Sequence, residues 1–227
     1  MEHRQEITAG AGTRERILAA ARAEFSRHGK KGARMERIAV RSAANKAMLY
    51  YYFSSKDDLY REVLYSFFSE VFGGLSQVLR ADGRLEKKIM DLVSMYIDFF
   101  AGHSEMIQIM MHELASGGED ISQVLRQKKV VEEPLGITAI RAYFREEIRQ
   151  GRIRPMDERH LIMSLIGMCI YMFMASPMVT VVLGIRPEDP ALREQRKQEI
   201  CSLILKGIRP EAVSSAGKPD ASGKKGV

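Results

Sequence analysis

The densest chemistry in the sequence sits in one short run, Asn45-Lys46-Ala47-Met48-Leu49-Tyr50-Tyr51-Tyr52-Phe53. Read as a helix, it places Leu49 and Phe53 four apart, where they anchor one face in a core and leave Lys46, Ala47, Met48, Tyr50 and Tyr51 off that face. Packing so short a helix does not call for three adjacent tyrosines. Phenol hydroxyls hydrogen-bond phosphate, lysine neutralises it, and small or thin side chains let a helix backbone approach base edges in the major groove of a duplex. The plainer alternative is an amphipathic helix whose tyrosines are only half-buried. Local charge and a tight turn beside the run weigh against it.

Other chemistries are less well supplied. His103, Glu105, His112 and Glu113 are metal-ligand types, but His112-Glu113 lacks a second histidine four residues on, and the spacing fits no closed zinc set. There is no P-loop, no G-x-S-x-G and no pair of Glu-x-x-His motifs of the kind a helical-bundle enzyme uses. The expectation is a protein that is not an enzyme and has no cofactor and no metal site. Cys169 and Cys201 lie in apolar helical surroundings and make no disulfide framework. With acids and no apolar run in the first residues, a reduced, cytoplasmic protein without a signal peptide is expected.

The elements that must hold the tyrosine run are helical. Thr13 reads as an N-cap, and Ile17, Leu18, Ala21 and Phe25 give the apolar stripe of a helix over 13–28 that ends at Gly29. A short helix over 34–42 and another over 45–52 follow, with only Ala43 and Ala44 between them, which makes a helix-turn-helix. Ser55-Lys56-Asp57-Asp58 then supplies a cap of the S-x-x-D kind for a long helix whose Leu59, Val63, Phe67, Val71 and Leu75 share one face. It stops at Ala81-Asp82-Gly83. Further helices are expected over 85–100, 105–115, 121–150 with a kink or split at Pro134, 157–176 and 189–206. No β-alternation competes. The fold class is therefore all-α with about nine helices: a flexible arm over 1–12, a three-helix DNA-facing domain over 13–60, a larger helical domain over 61–209 and a disordered tail over 210–227.

Charge divides along the same boundary. The chain has 227 residues and a net charge of +6, of which residues 1–60 carry 12 Lys and Arg against 7 Asp and Glu. An anionic partner is expected at that end, and double-stranded DNA fits it. From Leu161 to Ile185 there is no charged residue, which is long enough to cross a membrane. Pro177 interrupts the stretch, and no basic cluster flanks one end only, so a helix buried on all sides is preferred to a membrane-associated bundle. A helix apolar all round in a chain this size needs cover from a second subunit. Leu161, Leu165, Met168 and Met172, with Ile200, Leu203 and Ile204 of the last helix, are the candidate homodimer interface, two copies forming a four-helix bundle about a twofold axis.

The stretch from Thr13 to about Leu64 resembles the amino-terminal domain of the TetR/AcrR family of bacterial transcriptional regulators. Arg27-His28-Gly29, Ile38-Ala39, Lys46, Leu49-Tyr50-Tyr51-Tyr52-Phe53, Ser55-Lys56 and Leu59 carry the resemblance at matching spacing. It implies Asn45 as cap of a recognition helix, Lys46, Ala47 and Met48 at base edges, Tyr50 and Tyr51 on phosphates, and Lys56 on the DNA backbone. Arg34 stands where the family usually has a small hydroxyl residue and can still reach phosphate. Ala43 and Ala47 stand where the family usually has glycine. Alanine at a position needing positive φ costs about 1 kcal/mol, so the turn is expected either to distort or to avoid left-handed geometry.

The resemblance also implies an effector-binding and dimerising second half, and a repressor released from a near-palindromic operator by a small molecule. Ligand-independent or activating regulation is the alternative. Phe68, Phe72, Met95, Tyr96, Phe99, Met110, Met111 and Phe144 come from the helices that would enclose the effector. Their apolar, polarizable side chains suit a largely apolar ligand, although a stripe of Met and Phe at helical spacing is more often plain core.

Overall fold

The computed structural model describes residues 2–126 and 136–210, with side chains from residue 12 onward. Every regular element among them is a helix: α1 (Glu2–Gly32), α2 (Met35–Ser42), α3 (Lys46–Tyr52), α4 (Lys56–Arg80), α5 (Leu85–Gly102), α6 (Ser104–Ala115), α7 (Glu119–Arg126), α8 (Ile137–Arg149), α9 (Glu158–Met174), α10 (Ser176–Leu183) and α11 (Pro190–Ile208). The all-α class holds, with two more helices among the described residues than expected. Where one helix over 121–150 was expected there are α7 and α8, and Pro134 lies outside the described residues, as does the expected tail from residue 211.

The second extra helix comes from the uncharged stretch, which bends by 81° between α9 and α10. Pro177 falls in the first turn of α10, where its missing N–H breaks no helical hydrogen bond; within one continuous helix it would have removed one. No single described helix is long and apolar enough to cross a membrane; only this bent pair passes together.

Thr13 is not a cap. Helix α1 runs back through it to Glu2, taking in the expected arm, and the buried Thr13 hydroxyl accepts a hydrogen bond from Arg16 Nη2 at 3.1 Å. Near its other end α1 is interrupted at Gly29, with φ 61° and ψ 175°, a conformation that a side chain would strain. The C-terminus of α4 is closed by a buried lysine: Lys88 Nζ donates to the carbonyls of Val78 (2.6 Å), Leu79 (3.0 Å) and Ala81, groups with no partner inside the helix.

One continuous apolar cluster runs from Ile17 and Phe25 through Leu49, Leu64, Leu75 and Ile97 to Phe144, Leu165 and Ile204. Helix α1 packs on α2, α4 and α6, α4 on α5, α7 and α8, and α9 on α5, α6, α8 and α11. These contacts correct the interface assignment. Leu161, Leu165, Met172, Ile200 and Ile204 are buried within the subunit, Met168 is half-buried, and only Leu203 is exposed. A helix apolar on all faces gives no pattern by which its inward side can be told from its outward one. Cys169 is buried too, and burial pushes its thiol up to about 12; burial also raises Cys201, so neither is a ready thiolate.

Candidate nucleic-acid interface

The recognition segment is fixed from beneath and capped at both neighbouring joints. Leu49 and Phe53 are fully buried under α3, and the Arg14 guanidinium lies over the Phe53 ring at 5.5 Å. Asn45 Oδ1 accepts from Met48 N at 2.7 Å, satisfying one of the free amides of the first turn of α3. Ser55 Oγ accepts from Asp58 N at 3.0 Å, and Asp58 Oδ2 accepts from Ser54 N at 3.1 Å, so the expected cap of α4 is made.

The turn between α2 and α3 is left-handed despite its alanine. Ala43 has φ 52° and ψ 35°, while Ala43 N and Ala44 N donate to Val40 O and Ala39 O at 3.2 and 3.1 Å. Neither expected escape is taken, and the alanine bears the backbone cost that glycine would avoid. Against α1, α2 is held by Glu24, whose carboxylate is 1% exposed. Its Oε1 accepts from Arg34 N (3.1 Å) and Arg37 Nε (2.6 Å). Burial opposes the charge, but the hydrogen bonds from Arg37 and the Arg34 amide together outweigh it and leave the carboxyl below its usual range.

On this frame the expected contact residues other than Lys56 are open to solvent. Arg34, Asn45, Lys46, Ala47, Met48, Tyr50 and Tyr51 are all exposed, Tyr51 at 82%. Lys56 is placed differently. It is half-buried, with Nζ 3.4 and 3.3 Å from the carbonyls of Lys31 and Ala33, so that it ties the start of α4 to the α1–α2 turn. Lys46 is not free either: its ammonium lies 2.7 Å from Glu36 Oε1 on α2. The hydrogen bond between them holds Glu36 below and Lys46 above their usual values. Glu24 and Glu36, which hold the start of α2 and the Lys46 ammonium, are residues that motif reading missed. No signal in a single sequence separates them from other helix-surface acids.

The candidate effector lining is divided by the structure. Phe68, Phe72, Met95, Phe99 and Met110 are half-buried against the core between α4, α5 and α6, with Phe68 stacked on Phe72 at 6.2 Å and Phe67 against Phe99 at 5.1 Å. Tyr96 and Phe144 are core, and burial raises the Tyr96 phenol. Met111 faces outward at 45% exposure and drops out of the lining, because α6 presents that side to solvent. A polar cavity of about 490 Å³ lies elsewhere, where α1 and α4 meet α6 and α7. Beside it Lys30 pairs with Asp120 (2.6 Å) and Asp57 (3.3 Å), and buried Glu113 accepts from Tyr60 Oη (3.1 Å) and Asp120 N (2.8 Å). His112 packs under Gly29 and lines this cavity with Glu113, whereas His103 stacks on Phe99 at 4.1 Å outside it. Among the described residues no three metal-ligating side chains converge.

An exposed, aromatic, capped helix held behind a tight turn on a helical body defines a helix-turn-helix DNA-binding regulator. Comparison with known proteins agrees. Residues 17–63 match the model of bacterial regulatory proteins of the TetR family, and residues 86–204 match the tetracyclin repressor-like C-terminal domain. The chain belongs to the TetR family. The HTH-type transcriptional regulator RutR of Escherichia coli K12 is 25% identical over 196 residues, 86% of this chain and 89% of RutR. The HTH-type transcriptional repressor NicS of Pseudomonas putida is 26% identical over 203 residues, 87% of this chain and 92% of NicS. Among solved structures, FadR of Bacillus subtilis in complex with stearoyl-CoA has a TM-score of 0.66 at 16% identity, covering 86% of this chain and 99% of FadR. That likeness concerns the fold. These relatives regulate transcription, and the chain is a regulator rather than an enzyme.

Proposed function

We propose that the protein is a homodimeric repressor that leaves a near-palindromic operator when a small, largely apolar ligand enters its helical body. The observation that carries the DNA reading is the exposed surface of α3, where Met48, Tyr50 and Tyr51 stand off a helix pinned by Leu49 and Phe53. Lys46, Ala47 and Met48 are assigned to base edges, Tyr50, Tyr51 and Arg34 to phosphates, and Asn45 to the cap. Ala47 and Met48 favour thymine methyl groups. Lys56 acts by holding the α1–α2 turn.

The dimer reading rests on apolar surface left open beside the buried side of α9. Met163 and Tyr171 are 64% and 49% exposed and lie on one line through Gly167, with Leu203 of α11 at 58%. Covering this face with a second copy would pair the two α3 helices in successive major grooves, with operator half-sites one or more helical turns apart. Tyr171→Glu is expected to give monomers by sedimentation; an unchanged dimer would refute this face.

Ligand response is assigned to α4, which carries Phe68 and Phe72 in the body and begins at the DNA-facing unit. Flexible Met95 and Met110 beside them can repack around an apolar guest. A hundredfold loss of operator affinity requires the ligand to favour the released state by about 2.7 kcal/mol. The test is selection of bound duplexes from a random pool, repeated with candidate ligands and at several salt concentrations. A recurring near-palindrome is expected. Steep salt dependence without sequence preference would reduce the reading to nonspecific binding.

A further inference from the structure

We infer that Glu36 is a specificity-determining residue for DNA binding: by holding the Lys46 ammonium it withholds that charge from phosphates and aims it at base edges. The inference rests on the reading that α3 faces DNA.

The geometry is direct. Glu36 and Lys46 lie ten residues apart on two helices of the turn motif, both largely exposed, with Lys46 Nζ 2.7 Å from Glu36 Oε1. Glu36 lies in the first turn of α2, and Lys46 opens α3 next to its capping Asn45. Among the described residues this is the only ion pair that involves the recognition helix. Each lysine ammonium has three donors, so one bound to Glu36 leaves two for acceptors in front of it, such as O6 and N7 of a guanine.

The pair changes what the lysine is worth on different DNA. On an arbitrary duplex a free lysine gains by displacing counterions from phosphate, whatever the sequence. Paired with a carboxylate it brings almost no net charge, and that gain is cancelled. Facing a base edge with two acceptors, the oriented ammonium still donates. Glu36 thus lowers nonspecific affinity more than operator affinity. A bare carboxylate on this surface would repel every duplex alike, so the effect on specificity depends on Lys46.

The test uses the full chain, an operator duplex selected from a random pool and a duplex of unrelated sequence, titrated across a salt series. Glu36→Gln should raise affinity for the unrelated duplex several-fold at low salt and steepen its log–log salt slope by about 0.9 for each recognition helix bound. Operator affinity should change less, so the ratio of the two falls. In a Lys46→Gln background, Glu36→Gln should leave the ratio unchanged. An equal gain on both duplexes, or the same loss of ratio without Lys46, would overturn the inference. If the parent protein itself shows no preference for the selected duplex, the DNA reading has failed instead. Circular dichroism of each variant should match the parent, since both side chains are exposed.

Discussion

The DNA-facing unit and the helical body combine polar ties with apolar burial on helices of different length, 8 and 7 residues for α2 and α3 against 13 to 19 for α5, α8, α9 and α11. In the α1–α3 unit small helices are located by polar pins: Glu24 to Arg34 and Arg37, Asn45 to Met48, Lys56 to the α1–α2 turn. In the body the longer helices α5, α8, α9 and α11 are located by apolar side chains such as Ile97, Phe144, Leu165 and Ile204, to which ion pairs between helices are added, Glu158 with Arg141 and Arg145 and Lys197 with Asp98. Directional bonds fix orientation, which a surface that must match groove geometry requires. Apolar packing is less directional and fixes chiefly volume, which suits the guest proposed for the body.

Four substitutions probe this contrast. The largest effect is expected in the body. Phe144→Ala empties a fully buried ring site and should lower stability to urea by about 3–5 kcal/mol. Loss of less than 1 kcal/mol would show that the body packs loosely there. Glu24→Gln should cost about 1–3 kcal/mol, since it weakens charged hydrogen bonds in a buried place.

That substitution also has a pH signature. Because the folded carboxyl lies below its ordinary value of 4.5, its contribution is present above that value and is lost as pH falls through the lower folded pKa. Acid titration of stability should therefore be flatter in Glu24→Gln than in the parent. Equal slopes would remove Glu24 from the list of pins.

Tyr51→Phe should leave the melting curve unchanged, since the side chain is mostly exposed, and weaken operator binding several-fold for the loss of about 1 kcal/mol of hydrogen bonding. Undiminished binding in a mobility-shift titration would exclude Tyr51 from the interface. The smallest effect is a gain. Ala43→Gly should stabilise the protein by up to about 1 kcal/mol by relieving the left-handed alanine, visible as a melting temperature a few degrees higher. A lower melting temperature would mean that the alanine's restriction of the unfolded chain outweighs its strain.

What could be read from the sequence follows the same division. Local rules reach the turn motif, because caps such as Asn45 and Ser55 act over three residues and the Leu49/Phe53 anchor over four. They fail for Thr13, whose capping chemistry is overridden by a helix that continues past it. They fail as well for α9, where an uncharged surface gives no inward side, and five of the seven interface candidates prove to be core. Pro177 signalled a break but not that a second helix would start there. Lys56 was legible as important, not as a tie to the α1–α2 turn, since that contact spans more than twenty residues of chain. Glu36 could be found only in three dimensions.

Helix α1 belongs to both regions: one side closes over α2 and α4, the other lies on α6, and a single apolar cluster passes through it. The DNA-facing unit therefore has no private core to melt. Unfolding it strips cover from the body, and unfolding the body removes the support of α1. The chain should lose structure in one cooperative step, and the slowest-exchanging amides of α1 between Ile17 and Phe25 should report the global opening energy rather than a local one.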